Sequence, residues 1–260
     1  MRFLGLLALL AAPAFAQDCG STSAGFEAFK RDFAPVAARY GVRQRGLAAL
    51  AGARYSDVTI RVDRMKHHSG GTLQQIMNKR GVPQLIRQGR QRLARNPGFY
   101  AALERAYGVQ PEVILAIHGL ESNYGSTMGK VNIVDSITTV AFDCRRPNLF
   151  RPHLVAALRL VDQGSITARS VGAAHGEWGH TQFLANNVLR YGVDADRDGR
   201  VDLSTEADAL ASTANYLAQN GWQRGGGYQP GTHNFRVFNA WNEGPNYQRM
   251  IAHTAAGIRG

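Results

Sequence analysis

Residues 111–125 read PEVILAIHGLESNYG, and this stretch decides the fold class. Proline suits the first turn of a helix, and the apolar residues after it predict a helix that ends near Gly125, a suitable C-cap. Glu121 falls in the last turn, where the helix dipole and partial burial both favour the protonated carboxyl group. Glu121 is therefore a candidate general acid, and the alternative interpretation is a solvated glutamate at a helix end.

Helical spacing of apolar residues recurs along most of the chain on both sides of this stretch. It predicts further helices over residues 26–40, 73–77, 85–93, 154–161, 207–217, 235–241 and 247–256. Strand signals are confined to short stretches such as residues 58–62. The pattern, with no internal repeat and no interdomain linker, predicts a mainly α fold with long functional loops.

The first residues have the form of a secretory signal peptide. They begin Met1-Arg2, continue as an apolar run over residues 3–12 and reach an A-x-A site that ends at Ala16. We expect cleavage after Ala16, which leaves residues 17–260 as one domain in the periplasm or outside the cell. A buried N-terminal helix is the alternative, and no later segment is apolar enough to cross a membrane.

Cys19 and Cys144 are the two cysteines of the sequence, and both lie after the cleavage site. Exported proteins meet an oxidising compartment, in which such a pair usually forms a disulfide. We therefore expect a bond between Cys19 and Cys144, with two unpaired thiols as the alternative.

The formal net charge of +11 is strongly basic. In a cytosolic protein such a charge would indicate nucleic acid, but export makes that partner a poor match. The acidic polymers and peptide carboxylates of a bacterial wall fit the charge better. The alternative is that the charge only keeps the protein soluble.

Two further stretches have the composition of a sugar-binding cleft. Residues 176–183 read GEWGHTQF, in which glycines let a sugar approach the backbone and amide and hydroxyl groups can bind it. Residues 241–247 read WNEGPNY and join two predicted helices with groups that stack on and hydrogen-bond to sugars. The alternatives are an ordinary glycine-rich turn and a capped helix–helix turn.

Residues 194–202, DADRDGRVD, match the first half of a calcium-binding EF-hand loop. Three acids stand at alternate positions, namely Asp194, Asp196 and Asp198. The twelfth position holds Thr205 instead of glutamate, so the last ligand would be displaced. Arg200 can offer its backbone carbonyl, and the alternative interpretation is a solvated acidic turn.

Together these motifs resemble the membrane-bound lytic murein transglycosylase B family, glycoside hydrolase family 103, over nearly all of the mature chain. Six pieces carry the resemblance in the family's order: YGVQPE (107–112), GLESNYG (119–125), GHTQF (179–183), YGVDADRDG (191–199), ANYL (214–217) and WN (241–242). The resemblance implies a lysozyme-like, mainly α (α+β) fold with a deep groove between helical lobes. It also implies a lysozyme-like core at about residues 105–220.

The implied activity is cleavage of the β-1,4 bond between N-acetylmuramic acid and N-acetylglucosamine in peptidoglycan. Glu121 would protonate the glycosidic oxygen and then accept the proton of the muramic acid C6 hydroxyl, giving a 1,6-anhydro product without water. The family's positions imply sugar contacts from Gln182, Tyr216 and Asn242, and binding of substrate carboxylates by Arg145 and Arg146. The motif residues Tyr124, Trp241 and Tyr247 are added to the predicted substrate-binding set.

The same resemblance implies a structural calcium ion. Its ligands would be Asp194, Asp196, Asp198, the Arg200 carbonyl and Asp208. Asp208 thus replaces the missing twelfth-position glutamate. No organic cofactor is implied, and nothing in the sequence requires more than a monomer.

The chain departs from the family's pattern at several groove positions. Ala173 stands where serine is usual, Glu177 where a small residue is usual, Leu184-Ala185 for methionine-proline, and Gly244 for serine. Glu177 is a possible second titrating group that would permit water to compete as the nucleophile. Two alternatives to the transglycosylase therefore stay open: a muramidase that uses water, and a catalytically silent wall-binding or calcium-stabilised structural protein.

Overall fold

The computed structural model describes residues 19–65 and 71–260, so the predicted signal peptide lies outside the described residues. The described chain contains thirteen helices and two short strands. In order they are α1 (Phe26–Arg39), α2 (Gln44–Gly52), α3 (Asp57–Asp63), α4 (Leu73–Lys79), α5 (Val82–Arg95), α6 (Pro97–Tyr107), α7 (Pro111–Ser122), β1 (Val131–Asn132), α8 (Ile133–Phe142), α9 (Pro147–Gln163), β2 (Val171–Gly172), α10 (Ala185–Tyr191), α11 (Glu206–Gln219), α12 (His233–Trp241) and α13 (Pro245–Arg259).

The central helix is α7, which is buried on every side. It packs against α5, α6, α11 and α13, and Pro111 and Glu121 are its two residues that are not buried. A helix that is apolar all round is stable only when neighbours cover it completely, which explains why PEVILAIHGLES forms the core. At Glu121 the neighbouring helices leave α7 uncovered, and a groove opens there.

A second group of helices packs beside this centre. Helix α8 packs against α9, which also contacts α2 and α10, while α1 and α3 contact α8. The strands β1 and β2 form an antiparallel pair, with Val131 opposite Gly172. This short pair leads the chain from α9 back into the groove at residue 173. The structure is therefore mainly α, as predicted.

Every helix predicted from apolar spacing is confirmed, although the bounds differ. Helix α7 ends at Ser122 and not near Gly125, because Asn123, Tyr124 and Gly125 all take positive φ angles of 48°, 56° and 86°. Three left-handed residues in succession turn the chain sharply just after Glu121. This turn ends the helix one residue beyond the candidate acid.

The predicted strand at residues 58–62 is wrong. These residues belong to α3, which Ser56 caps by accepting a hydrogen bond from the Thr59 backbone N–H at 3.2 Å. Their β-branched side chains favoured a strand by local propensity. The cap and packing on α8 outweigh that preference.

The predicted disulfide between Cys19 and Cys144 is confirmed. Beside it the Gly20 backbone N–H donates to the Phe142 carbonyl at 3.1 Å, so the start of the described chain is anchored to the end of α8. None of the described helices has both the length and the apolar character that a membrane crossing requires.

Candidate active site

Glu121 lies where two cavities of about 410 and 460 Å³ meet. The smaller is lined by α4–α5 and the end of α7, including Arg80 and Asn123. The larger lies between the two groups of helices. It is lined by Val62, residues 173–175 and Glu177, residues 182–184, Asn187, Tyr216, Trp241 and Asn242. Together the cavities form a groove with the Glu121 carboxyl group at the junction.

Two side chains orient the Glu121 carboxyl group. The Tyr247 hydroxyl donates to Oε1 at 2.6 Å, and the Trp241 indole N–H donates to the same oxygen at 3.0 Å. No residue in the described part of the chain donates to Oε2. Oε1 is therefore held as an acceptor, and Oε2 is the oxygen that can carry a proton toward a ligand.

Burial raises the pKa of Glu121 above its ordinary value. The hydrogen bonds from Tyr247 and Trp241 and the charge of Arg80 act in the opposite direction, whereas Glu177 adds to the increase. The carbonyl end of α7 also favours the neutral acid. A carboxyl group with a raised pKa in a groove has the property that a general acid requires.

The polar ends of Trp241 and Tyr247 are thus committed to Glu121. Trp241 ends α12, and its ring lies edge-on to Phe183 and Tyr216 at centroid distances of 5.2 and 5.3 Å. The guanidinium carbon of Arg80 lies 5.3 Å from the centre of the Tyr247 ring. These contacts make both residues supports for the carboxyl group. Trp241 also lines the larger cavity, whereas Tyr247 lines neither cavity.

The other predicted sugar contacts differ in their position along the groove and in the hydrogen bonds that their polar groups already form. Gln182 lies in a left-handed conformation (φ 52°) and donates from Nε2 to the Gly179 carbonyl at 2.8 Å. The Tyr216 ring lines the larger cavity, but its hydroxyl donates to the Ala240 carbonyl. Asn242 is exposed at the rim, where its Oδ1 accepts from the Gly244 N–H at 2.9 Å.

The prediction that Tyr124 contacts the substrate is wrong. Its side chain is buried and its hydroxyl donates to the Leu85 carbonyl at 2.6 Å, which joins the end of α7 to α5. Trp178, in the glycine-rich loop, is also buried and holds that loop instead of lining the groove.

Arg145 and Arg146 both bind Asp63, a residue that lies outside every motif described above. The Asp63 side chain is only 3% exposed and forms ion pairs with both arginines, while its Oδ1 lies 3.1 Å from His175 Nε2. Burial would raise the pKa of Asp63, but the two arginines together hold it below its usual value. The arginines are therefore both paired with one carboxylate beside the groove and line neither cavity.

Three of the predicted calcium ligands come together. Ligand oxygens of Asp194, Asp196 and Asp208 lie within 4.8 Å of one another, and Asp208 is fully buried at the start of α11. The loop turns at Gly199, with a φ of 89° at the sixth position that an EF-hand reserves for glycine. Asp198 departs from the prediction because its carboxylate pairs with the Arg200 guanidinium at 3.0 Å.

Comparison with known proteins gives a consistent set of matches. The family model described as "Transglycosylase SLT domain" matches residues 25–231. Membrane-bound lytic murein transglycosylase B of Escherichia coli K12 is 36% identical over 129 residues, which are 48% of this chain and 36% of that protein. The chain thus matches about a third of the length of this curated relative.

Solved structures resemble the whole described fold. SltB3 of Pseudomonas aeruginosa, in complex with NAG-anhNAM-pentapeptide, superposes with a TM-score of 0.84 at 26% identity. The superposition covers 90% of this chain and 80% of the SltB3 chain. Slt35 of Escherichia coli, in complex with calcium, superposes with a TM-score of 0.78 at 20% identity. This superposition covers 88% of this chain and 92% of the Slt35 chain.

Proposed function

Because the chain belongs to the transglycosylase SLT domain family, we propose that it is a lytic transglycosylase that cleaves peptidoglycan glycan strands. The observation that carries the proposal is the Glu121 carboxyl group, held by two donors on one oxygen at the junction of the groove. The complexes of SltB3 with NAG-NAM-pentapeptide and NAG-anhNAM-pentapeptide support a peptidoglycan substrate.

In the proposed reaction Glu121 acts first as an acid and then as a base. Its Oε2 proton passes to the glycosidic oxygen as the bond from that oxygen to C1 of muramic acid breaks. The C6 hydroxyl oxygen of the same sugar then bonds to C1, and its proton returns to Glu121. No water is consumed, and the enzyme regains its protonated carboxyl group. Residues Gln182, Tyr216, Trp241 and Asn242 would line the bound strand.

The products distinguish this reaction from hydrolysis. Mass spectrometry of fragments released from purified peptidoglycan is expected to find 1,6-anhydromuramic acid at the new ends. Glu177 lines the same cavity as Glu121, so a water-using muramidase is the second candidate. Reducing ends in place of anhydro ends would establish that second reaction.

The raised pKa of Glu121 predicts how the rate depends on pH. The free enzyme must be protonated to act, so kcat/KM should be lost as the pH rises through the pKa of Glu121. Tyr247→Phe removes a hydrogen-bond donor that favours the carboxylate. The pH at which kcat/KM falls should therefore rise by about one pH unit. The exposed Tyr40→Phe serves as the control. If kcat/KM falls at a lower pH in Tyr247→Phe than in the wild type, the assignment of Glu121 as the acid is contradicted.

We also propose that the acidic loop binds a structural calcium ion through Asp194, Asp196 and Asp208. The Asp198 carboxylate and the Arg200 carbonyl are the further ligands that the family's pattern implies. Clustered carboxylate oxygens are the donors that calcium prefers, and the complex of Slt35 with calcium supports the choice. The ion would hold the loop that leads into α11, the helix that carries Tyr216.

Thermal melting tests this ion. Saturating calcium should raise the melting temperature by roughly 5–10 °C relative to excess chelator, because an ion that binds only the folded state stabilises it. Asp196→Asn should abolish the difference, whereas Asp32→Asn, an exposed change on α1, should keep it. Identical melting with calcium and with chelator would exclude a structural role.

The proposed location is outside the cytoplasm. The confirmed disulfide indicates an oxidising compartment, and the net charge of +11 suits attraction to an acidic wall. Cleavage after Ala16 and a catalytic core at about residues 105–220 remain parts of this proposal.

A further inference from the structure

Glu177 places a second carboxylate in the larger cavity beside Glu121. Its Oε2 is buried and has no hydrogen-bond partner among the described residues. Its Oε1 lies 3.9 Å from His175 Nδ1, too far for a hydrogen bond. A buried carboxylate oxygen without a donor is costly, so the described residues leave the hydrogen bonding of this group incomplete.

The surroundings of Glu177 hold it in this position. Its carbonyl accepts from the Ala173 N–H at 2.7 Å, and the next residue, Trp178, is buried. His175 cannot easily approach, because Asp63 binds its Nε2 and its ring stacks on Phe150 with an interplanar angle of 16°. Neither neighbour can readily move to satisfy the Glu177 carboxylate.

Neither of the two arginines beside the groove forms an ion pair with Glu177. Arg145 and Arg146 are bound to Asp63. The small side chains of Ala173 and Ala174 line the same cavity and leave room for a ligand beside the carboxylate. Within residues 19–65 and 71–260 no side chain donates to Glu177 Oε2, so a ligand in the groove can supply a donor to this carboxylate.

A carboxylate only accepts hydrogen bonds, so its best partner is a group that only donates. In a peptidoglycan strand every sugar carries a nitrogen at C2, either as an acetamido N–H or, where the acetyl group is absent, as an ammonium group. Both forms donate and neither accepts at that nitrogen.

We propose that Glu177 is a specificity-determining residue whose carboxylate accepts a hydrogen bond from the C2 nitrogen of a hexosamine in the bound strand. This inference rests on the proposed function, since it takes the glycan strand as the ligand. It assigns to Glu177 a recognition role in place of the activation of water.

Binding without cleavage is the direct test. In a Glu121→Gln background, cosedimentation with purified insoluble peptidoglycan measures affinity alone. Glu177→Ala should weaken binding about 10- to 100-fold, because a hydrogen bond to a charged group is lost. Glu104→Gln on α6 is the matched control and should bind normally.

The two forms of the nitrogen are distinguished by substrate and by variant. The same peptidoglycan is compared before and after chemical N-acetylation of its free amines. If the donor is an ammonium group, acetylation should weaken binding, and Glu177→Gln should lose much of the affinity because the attraction between opposite charges is lost. If the donor is an amide, acetylation should not weaken binding, and Glu177→Gln should retain more affinity because its carbonyl still accepts.

The outcomes separate this inference from the proposed function. Equal binding by the Glu177→Ala and control proteins would overturn the inference alone. Failure of the Glu121→Gln protein to bind peptidoglycan at all would overturn the proposed substrate and the inference with it. If the wild type releases reducing ends that Glu177→Ala no longer produces, Glu177 activates water and the recognition role is wrong.

Discussion

Glu121→Gln is expected to lower the rate of release of 1,6-anhydro fragments by about 10³-fold or more. Glutamine is nearly the same size, and its carbonyl can still accept from Tyr247 and Trp241, which both bind Oε1 in the wild type. It has no proton to give to the glycosidic oxygen and cannot take one from the C6 hydroxyl. Both halves of the proposed reaction are therefore lost, while the shape of the groove is kept.

The control must separate loss of chemistry from loss of fold. Glu104→Gln, on the neighbouring helix α6 and outside both cavities, should keep the wild-type rate. The melting temperature and the peptidoglycan affinity of Glu121→Gln should stay close to those of the wild type. A variant that folds and still releases anhydro fragments at more than a tenth of the wild-type rate would exclude Glu121 as the acid.

Removing the disulfide is expected to have the largest effect on stability. Cys19 and Cys144 are 125 residues apart, so the bond closes a very long loop and restricts the unfolded chain strongly. Replacing both with serine should lower the free energy of unfolding by roughly 2–5 kcal/mol. For a domain of this size the melting temperature should fall by roughly 5–15 °C.

Reduction of the wild type provides an independent check. Wild type in excess reductant should melt near the temperature of the double serine variant, and reductant should not change the variant further. Cys144 immediately precedes Arg145 and Arg146, which bind Asp63 beside the groove. An unchanged melting temperature after complete reduction would show that the bond adds no stability.

Residues 111–122 show how much could be predicted locally. A proline, an apolar run and a carboxylate in the last turn were enough to predict the helix, its burial and its candidate acid. The disulfide was predictable because an exported chain with two cysteines has one possible pair. The acidic loop was predictable because its ligands lie close together in the sequence, although the turn of Asp198 toward Arg200 was not.

Tyr247 and Asp63 show what local patterns could not predict. Tyr247 was singled out as a sugar contact, but its hydroxyl binds a carboxylate 126 residues away. Asp63 directly follows a stretch whose β-branched residues indicated a strand, and its partners are more than 80 residues away in the chain. Tyr124 lies in the most informative motif, yet its left-handed backbone belongs to a turn that directs its hydroxyl to Leu85.

The sequence alone determined the mainly α fold, the helix of Glu121, the cysteine pair and the acidic loop, because spacing along a few turns or the count of a residue type dictates each of them. Only the tertiary structure decided which side chains orient Glu121 and that Asp63 pairs with both Arg145 and Arg146. It also decided that Glu177 lines the groove with its Oε2 lacking a donor among the described residues. Those relations depend on how distant helices pack, and local propensity and periodicity contain no record of such contacts.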